Sequence, residues 1–533
     1  MSINKTEKCN KGIKPHKFRI DKYDTCKDAK SPFIHKFRTN KNCYIYDVNT
    51  MRIIRVDSIL WKIITDIGIL SKEEILLKYS ARYDSEKLSK VLDEIEHSQE
   101  KIGLFLNKRP EIVFPLTVEN IKEELSKRTL LTLAVTENCN FNCSYCVYSG
   151  KYTNRHQWSK QNMDWDVAKR AIDDHMQHRN PERLSIAFYG GEPLMNLPLI
   201  KKCVKYIRKR TTADENVRFL TTTNGSLLSG ETADFLAKED FRLLVSLDGP
   251  KEYHDRYRRF KNGLPTWRKV FDNIKTFVEK YPHYKNTSKF ELNCILAPPV
   301  DISRIESFFK TCDLHDGFIP NFKTGYLDIQ ENTLAFNGDV VGADAMHSEY
   351  IDNLAKGNIT CETMSNNEYQ FQSRFFESNY VKFHKRYTIY GCPMHNHRKR
   401  FPNEFCLFST CIPGARRLYV STNGAYLPCE RVPESDYFRI GNVWDGLDYS
   451  KIHQLLSDWV DLSKNECKYC WCLSTCQVGC WQGIRDSSNM TVMAKKEACA
   501  KHRWRMDNLI INYCTVLEKN PHAFDFSKNI DIH

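Results

Sequence analysis

Between residues 129 and 312, apolar strand-like runs alternate with helical ones, and this rhythm constrains the fold of the 533-residue chain more than any other feature. The strand-like runs are 130–137 (LLTLAVTE), 184–191 (LSIAFYGG), 217–225 (VRFLTTTNG), 242–249 (RLLVSLDG) and 289–297 (KFELNCILA). Apolar residues at helical spacing mark 164–178, 198–210, 266–280 with Thr266 as cap, and 301–312. Repeated βα units imply a parallel sheet, because a parallel return needs a crossover and the crossover helix covers a face of the sheet. The expected fold class is therefore α/β, a partial or full barrel, with its site at the C-terminal ends of the strands.

The flanking segments differ in character. Residues 1–38 form a basic arm with eleven Lys or Arg against four Asp or Glu. It reads either as a solvated, disordered tail or as an attractant for an acidic partner, peptide or nucleic acid. Residues 39–110 form a compact unit: a hairpin of CYIYDV and MRIIRV around Asn49 and Thr50, then three helices. The first helix runs from Asp57 to Ile67, the second carries a capping box of Ser71 and Glu74, and the third is capped by Asp84 with Leu88, Val91, Leu92 and Ile95 on one face. Two strands and three helices suggest a winged-helix domain, and the lack of a strongly basic helix face argues against nucleic acid. The βα region spans 125–323. Residues 324–400 lose the rhythm apart from some helix near 343–356, residues 401–515 are rich in cysteine, and 516–533 form a tail.

The chain has 21 cysteines, no apolar run of roughly 18 residues that could span a membrane, and an N-terminus without a signal-peptide stretch. These features place it in the cytoplasm, where thiols stay reduced, so dense and regularly spaced cysteines point to metal ligation instead of disulfides.

Cys139, Cys143 and Cys146 directly follow the first strand, at the mouth of the expected barrel. Three thiolates on a tight loop can hold three irons of a [4Fe–4S] cluster and leave the fourth iron open; the competing reading is a zinc knuckle. The Cys-x3-Cys-x2-Cys spacing resembles the radical S-adenosylmethionine superfamily, whose other signatures recur at later strand ends. The resemblance implies a (β/α)6-type partial barrel in which the open iron chelates the amino and carboxylate groups of S-adenosyl-L-methionine. It also implies roles for particular residues. Tyr145 would lie by the adenine, and Gly190, Gly191, Glu192 and Pro193 match a GGEP turn whose glycines allow close backbone approach and whose Glu192 can accept from the methionine ammonium. Asn224 and Ser246 would contact ribose or substrate, Arg258 of the HDRYR segment would meet the cofactor carboxylate, and Ile295 or Leu296 would line the adenine pocket.

A second pattern closes the chain: Cys411-x12-Gly424-x4-Cys429, then Cys467-x2-Cys470-x5-Cys476-x3-Cys480, and Cys499. It is similar to the SPASM domain of peptide-modifying radical enzymes, which holds auxiliary [4Fe–4S] clusters; zinc is the alternative for Cys467 and Cys470 taken alone. By order, the resemblance implies that Cys467, Cys470, Cys476 and Cys499 ligate an outer cluster. Cys411, Cys429 and Cys480 would ligate an inner one that Cys406 either closes or leaves with an open iron. Three [4Fe–4S] clusters are thus expected. Cys203, Cys294 and Cys312 read as apolar side chains of helices and strands, while Cys361, Cys392 and Cys472 stay unassigned. Glu430, next to Cys429, is either a base that deprotonates the substrate residue or a surface Glu paired with Arg431 or Arg417.

Together these features resemble maturases of ribosomally made peptides with an N-terminal peptide-recognition domain, where the precursor's leader adds a strand to the hairpin edge. The runs CVYSGKY and CERVPE look like those of thioether-forming members, which join a Cys sulfur to a carbon of a nearby residue by way of a 5′-deoxyadenosyl radical. A ferredoxin or flavodoxin would donate electrons. Carbon–carbon crosslinking, epimerisation and formylglycine formation of the sulfatase-maturase kind are alternatives. An iron–sulfur winged-helix regulator of DNA is the alternative from another class.

Overall fold

The computed structural model describes residues 29–525 except 147, 150–157, 181, 213–214, 286, 313, 315–320, 327–339, 342, 360–401, 407–410, 463, 477–484 and 487–488. The chain opens with an antiparallel sheet of β1 (Ile34–Arg38), β2 (Cys43–Asp47) and β3 (Arg52–Val56) in sequence order. Residues 34–38, assigned above to the arm, therefore belong to this sheet as its first strand. The hairpin around Asn49 and Thr50 pairs Asp47 with Arg52, and buried Asp47 accepts from Thr50 N, Thr50 Oγ1 and Phe105 N at 2.7–2.8 Å. Three helices follow: α1 (Ser58–Ile63), shorter than the run suggested, α2 (Lys72–Tyr79) with both arms of its capping box formed, and α3 (Ser85–Ile102).

β2 is buried from Tyr44 to Asp47 because both its faces are covered. Alternate residues of a strand face opposite ways. Ile45 packs with Ile63, Leu88 and Leu92 of the helices, whereas Tyr44 and Tyr46 pack with Tyr350, Ile510 and Tyr513 from the far end of the chain.

A short strand β4 (Glu111–Val113) and helix α4 (Val118–Leu125) lead to the central sheet. Its parallel strands are β5 (Leu131–Thr136), β6 (Leu184–Gly190), β7 (Val217–Thr223), β8 (Arg242–Ser246), β9 (Phe290–Leu296) and, past a two-residue strand β10 (Val300–Asp301), β11 (Asn321–Tyr326). Helices α5 (Trp165–Gln177), α6 (Leu197–Arg208), α7 (Gly230–Lys238), α8 (Lys251–Tyr257), α9 (Trp267–Lys280) and α10 (Ile302–Thr311) alternate with them. The sixth strand lies where the sequence rhythm had faded. After a two-residue strand β12 (Val340–Val341), helix α11 runs Ala343–Lys356.

The sheet does not close on itself. Beside β5 it continues into the cysteine-rich region: after β13 (Glu404–Cys406), which pairs with β4, comes β14 (Leu418–Val420), parallel to β5. The antiparallel strands β15 (Ala425–Leu427), β16 (Gly441–Asn442) and β17 (Gly446–Leu447) extend it further. The 401–515 region is thus joined to the barrel by main-chain hydrogen bonds, with Leu418 and Val420 fully buried at the seam. A long helix, Val492–Lys519, runs past the expected start of the tail and packs on the N-terminal sheet together with α11. No helix among the described residues is long and apolar enough to cross a membrane.

Candidate active site at the barrel mouth

The loop after β5 carries Cys139, Cys143 and Cys146, and the segment after α8 fastens it. Asn142 N donates to Arg259 O (2.7 Å), Ser144 N to Tyr257 O (3.0 Å) and Lys261 N to Asn140 O (3.1 Å), while the Phe141 and Phe260 rings meet edge to face at 5.0 Å. Cys139 and Cys143 are buried and Cys146 is half-buried. Burial pushes the Cys139 and Cys146 thiols up to about 12, and the charges of the neighbouring thiols add to the effect. The three thiols are therefore close enough to feel one another's charge. Among the described residues no three His, Cys, Asp or Glu converge as ligands of a single ion would.

The glycines of the GGEP turn act against the chain itself. A Cβ at Gly190 would stand 2.0 Å from Thr136 O, and one at Gly191 2.3 Å from Asn138 O. Their small size thus lets the end of β6 lie against the backbone of Thr136 and Asn138 at the start of the cysteine loop, a close approach between two parts of the chain. Glu192 follows, fully buried. Its Oε1 accepts from Thr223 Oγ1 (2.7 Å) and Leu194 N (3.2 Å), and its Oε2 from Asn224 N (2.7 Å). Burial pushes this carboxyl up to about 7 against the pull of those hydrogen bonds. Pro193 begins the 3-10 turn Pro193–Asn196 and is buried.

Asn224 reaches toward the cysteine loop. Its Nδ2 donates to Asn140 Oδ1 (2.8 Å) and stands 3.9 Å from Cys139 Sγ, while its Oδ1 accepts from Ser226 N and Oγ. Arg258 Nη1 donates to the Tyr145 hydroxyl (2.8 Å), which in turn donates to Asp248 Oδ2; Asp248 Oδ1 accepts from Ile295 N (3.0 Å). All of Tyr145, Asp248 and Arg258 are buried, and Arg258 Nε finds no partner among the described residues. In the sequence Asp248-Gly249-Pro250 has the composition of an ordinary turn, which hides Asp248. Its position at the end of the β8 run was the available signal.

Along β9 the odd-numbered residues Glu291, Asn293 and Ile295 are half-buried and the even-numbered ones fully buried. Leu296 therefore packs into the core with Phe290, Leu292 and Cys294, whereas Ile295 lies on the opposite, half-buried face of the strand. Ser246 pairs in register with Asn293 of this face. Cys203 and Cys294 are fully buried and Cys312 is half-buried at a helix end.

A narrow cleft of about 20 Å³ lies between the ends of β5 and β6 and β14, lined by Thr136, Glu137, Tyr148, Gly190, Gly191 and Tyr419 among others. Glu137 is held by Thr422 Oγ1 (2.7 Å) and Ser159 Oγ (2.6 Å), and the Tyr148 hydroxyl reaches Glu430 O at 3.5 Å. Glu430 is bound by Arg417, with one contact at 2.6 Å, and lies 3.7 Å from Arg431. The ion pair that stood as the plainer reading of Glu430 is thus present.

Of the second cysteine set, Cys467 ends the helix Lys464–Cys467, Cys470 follows, and Cys499 lies on the long C-terminal helix. Burial pushes Cys499 up to about 12, with the charges of Cys470 and Cys467 adding to it; a hydrogen bond from Cys472, with Arg503 beside it, pulls Cys470 down to about 6. Cys472 is buried and also feels Cys476. These thiols therefore form one neighbourhood. Cys406 lies on β13, Cys411 is exposed and Cys429 is close to Arg417, while Cys361, Cys392 and Cys480 lie outside the described residues.

Residues 133–310 match the Radical SAM superfamily. A cysteine-type anaerobic sulfatase-maturating enzyme of Clostridium novyi (strain NT) is 31% identical over 194 residues, 35% of this chain and 48% of that protein. Another, from Clostridium perfringens (strain 13 / Type A), is 25% identical over 389 residues, covering 70% of this chain and 94% of the relative. The chain spans about half the length of the curated relatives that share the higher identity. The solved structure of native anSMEcpe with bound AdoMet has a TM-score of 0.52 and 20% identity, covering 75% of this chain and 100% of that one. The α/β barrel described above is thus a radical SAM fold, and that class implies S-adenosylmethionine and a [4Fe–4S] cluster. The residues present fit both: three thiols feel one another's charge, a buried carboxylate lies beside them, and a buried guanidinium keeps an orphaned N–H.

Proposed function

We propose that the chain is a radical S-adenosylmethionine maturase that joins a cysteine sulfur of a ribosomally made peptide to a carbon of a nearby residue. The observation that carries this reading is the mouth of the barrel, where a cleft lined by Thr136, Gly190, Gly191, Tyr148 and Tyr419 borders the turn before buried Glu192 and, through the Tyr148 hydroxyl, the backbone of Glu430. When bound, the cofactor on its reduced cluster supplies a carbon radical able to take an unactivated hydrogen atom.

The chain's own residues divide the remaining work. Cys139, Cys143 and Cys146 hold the cluster. Glu192 Oε2, engaged by a single N–H, keeps lone pairs for an ammonium, and Arg258 offers its N–H groups to a carboxylate. Asp248 and Asn224 orient Tyr145, Arg258 and the cysteine loop. Tyr148 and Tyr419 wall the cleft, and Glu430 would receive the substrate thiol's proton only on leaving Arg417. Cys467, Cys470, Cys476 and Cys499, and Cys411, Cys429 and Cys480 with Cys406, would hold auxiliary clusters, which would supply one-electron transfer.

Support for a leader-peptide site comes from the sheet edges. β1 lies against the C-terminal helix, whereas β3 pairs only with β2 among the described strands and so offers main-chain groups to an added strand.

A second reading, oxidation of a substrate cysteine to formylglycine, draws support from the names of the curated relatives. Mass spectrometry and alkylation of a treated Cys-containing peptide separate the two. A thioether removes two hydrogens per crosslink and silences the thiol while keeping sulfur; formylglycine releases the sulfur and yields an aldehyde that reacts with hydrazides. Product with an aldehyde and no crosslink would overturn the thioether reading.

A further inference from the structure

Trp471 and Ser474 lie between Cys470 and Cys476, and both are gripped by the N-terminal sheet. The His35 ring on β1 stacks on the Trp471 ring with centroids 3.7 Å apart and 5° between planes, and its Nε2 lies 2.8 Å from Oδ1 of Asp507, on the helix that carries Cys499. Tyr46 on β2 shares a buried 2.6 Å hydrogen bond with the Ser474 hydroxyl and meets the Trp471 ring edge-on at 6.3 Å. Near the end of the same helix, Glu518 Oε1 accepts from Thr39, Asn42 and Tyr44 at 2.7–2.8 Å. The loop itself has little regular structure, a 3-10 turn at Leu473–Thr475. Its shape is therefore fixed from outside.

We infer that the N-terminal sheet is a positioning element for the outer cluster: His35 and Tyr46, acting through Trp471 and Ser474, set the form of the Cys470–Cys476 loop and cover it from water. The inference rests on the reading of Cys467, Cys470, Cys476 and Cys499 as cluster ligands. Reduction potentials of iron–sulfur clusters respond to solvent exposure and to the hydrogen bonding around their sulfurs, so a loosened loop has a spectroscopic consequence apart from turnover.

The test uses the full chain, reconstituted anaerobically, with the double variant His35→Ala/Tyr46→Phe. The expected result is a shifted midpoint potential and altered paramagnetic resonance signal for one cluster, or loss of that cluster's iron, with the others unchanged; His35→Phe, which keeps the stack, restores the native signal. Leu92→Ala is the control, because Leu92 packs on the opposite face of β2 and weakens the domain without touching the loop. No shift in the double variant, or an equal shift in the control, overturns the inference. A Cys470→Ala chain that keeps its full iron count overturns the ligand reading itself, whatever the His35 variants do.

Discussion

The thiols at the barrel mouth and those near the C-terminus are supported in opposite ways. Cys139, Cys143 and Cys146 share one short loop, and barrel elements fasten it, among them the backbone of residues 257–261, the β6 glycines and Asn224. Cys467, Cys470 and Cys499 come from a loop and a distant helix and lean on strands at the other end of the chain, with Tyr46 and Ser474 separated by 428 positions. Closing such long loops costs entropy before the contact is gained, so the second neighbourhood needs both chain ends folded, while the first needs only the barrel.

Five experiments would break or sharpen this contrast. The largest effect is expected for Cys143→Ala: cofactor cleavage, followed as 5′-deoxyadenosine, drops to background while about eight of roughly twelve irons remain. Loss of all iron would mean that the two sites assemble as one. Next, Cys470→Ala should cost about four irons and abolish peptide product while cofactor cleavage persists; normal product would remove the outer thiols from the reaction. Third, Leu296→Ala should destabilise the chain by about 2–5 kcal/mol in chemical denaturation, as a cavity does, with little change in the cofactor KM. Ile295→Ala should raise that KM instead, and the reverse pattern would put Leu296 in the site.

Fourth, Asp248→Ala strands the Tyr145 hydroxyl and Ile295 N–H, a cost of about 1–3 kcal/mol, and should raise the cofactor KM without altering iron content. An altered iron count would make Asp248 part of the thiol site. The smallest effect concerns His175, buried on α5 and held down to about 3 by burial, with Arg128 adding to the effect. The unfolded chain, with an ordinary histidine near 6.5, takes up the proton first, so this contribution is whole above about pH 6.5 and is lost as pH falls toward 3. His175→Phe should flatten the fall of the unfolding free energy, measured by urea titration, between about pH 6.5 and 5 by at most about 1.4 kcal/mol per pH unit; an unchanged slope would contradict it.

The sequence was most legible where the structure is most local. Five of the six parallel barrel strands, the capping box of α2 and the cysteine loop follow from periodicity and spacing within a few residues. The sixth strand, β11, escaped because the rhythm breaks after α10. The pairing of β14 with β5 escaped because nothing in three Leu418–Val420 side chains records which edge they complete. Asp248 looked like a turn residue because its burial is created by α8 and β9, not by its neighbours in sequence. Leu296 and Ile295 were interchangeable by composition, and only the strand's register assigns one to the packing side. The grip of His35 on Trp471 had no local signature at all.

The double burial of β2 also bears on how this enzyme could be simplified. Tyr350, Met506, Ile510 and Tyr513 are shielded from water by the N-terminal sheet, so clipping that sheet away would bare a contiguous apolar surface on the rest of the chain. A shortened chain would fall out of solution before it could reveal any leader-free activity. The proposed capture of a leader peptide is therefore better tested by point changes along the outer rim of β3, where Arg52 and Arg55 are exposed, than by truncation.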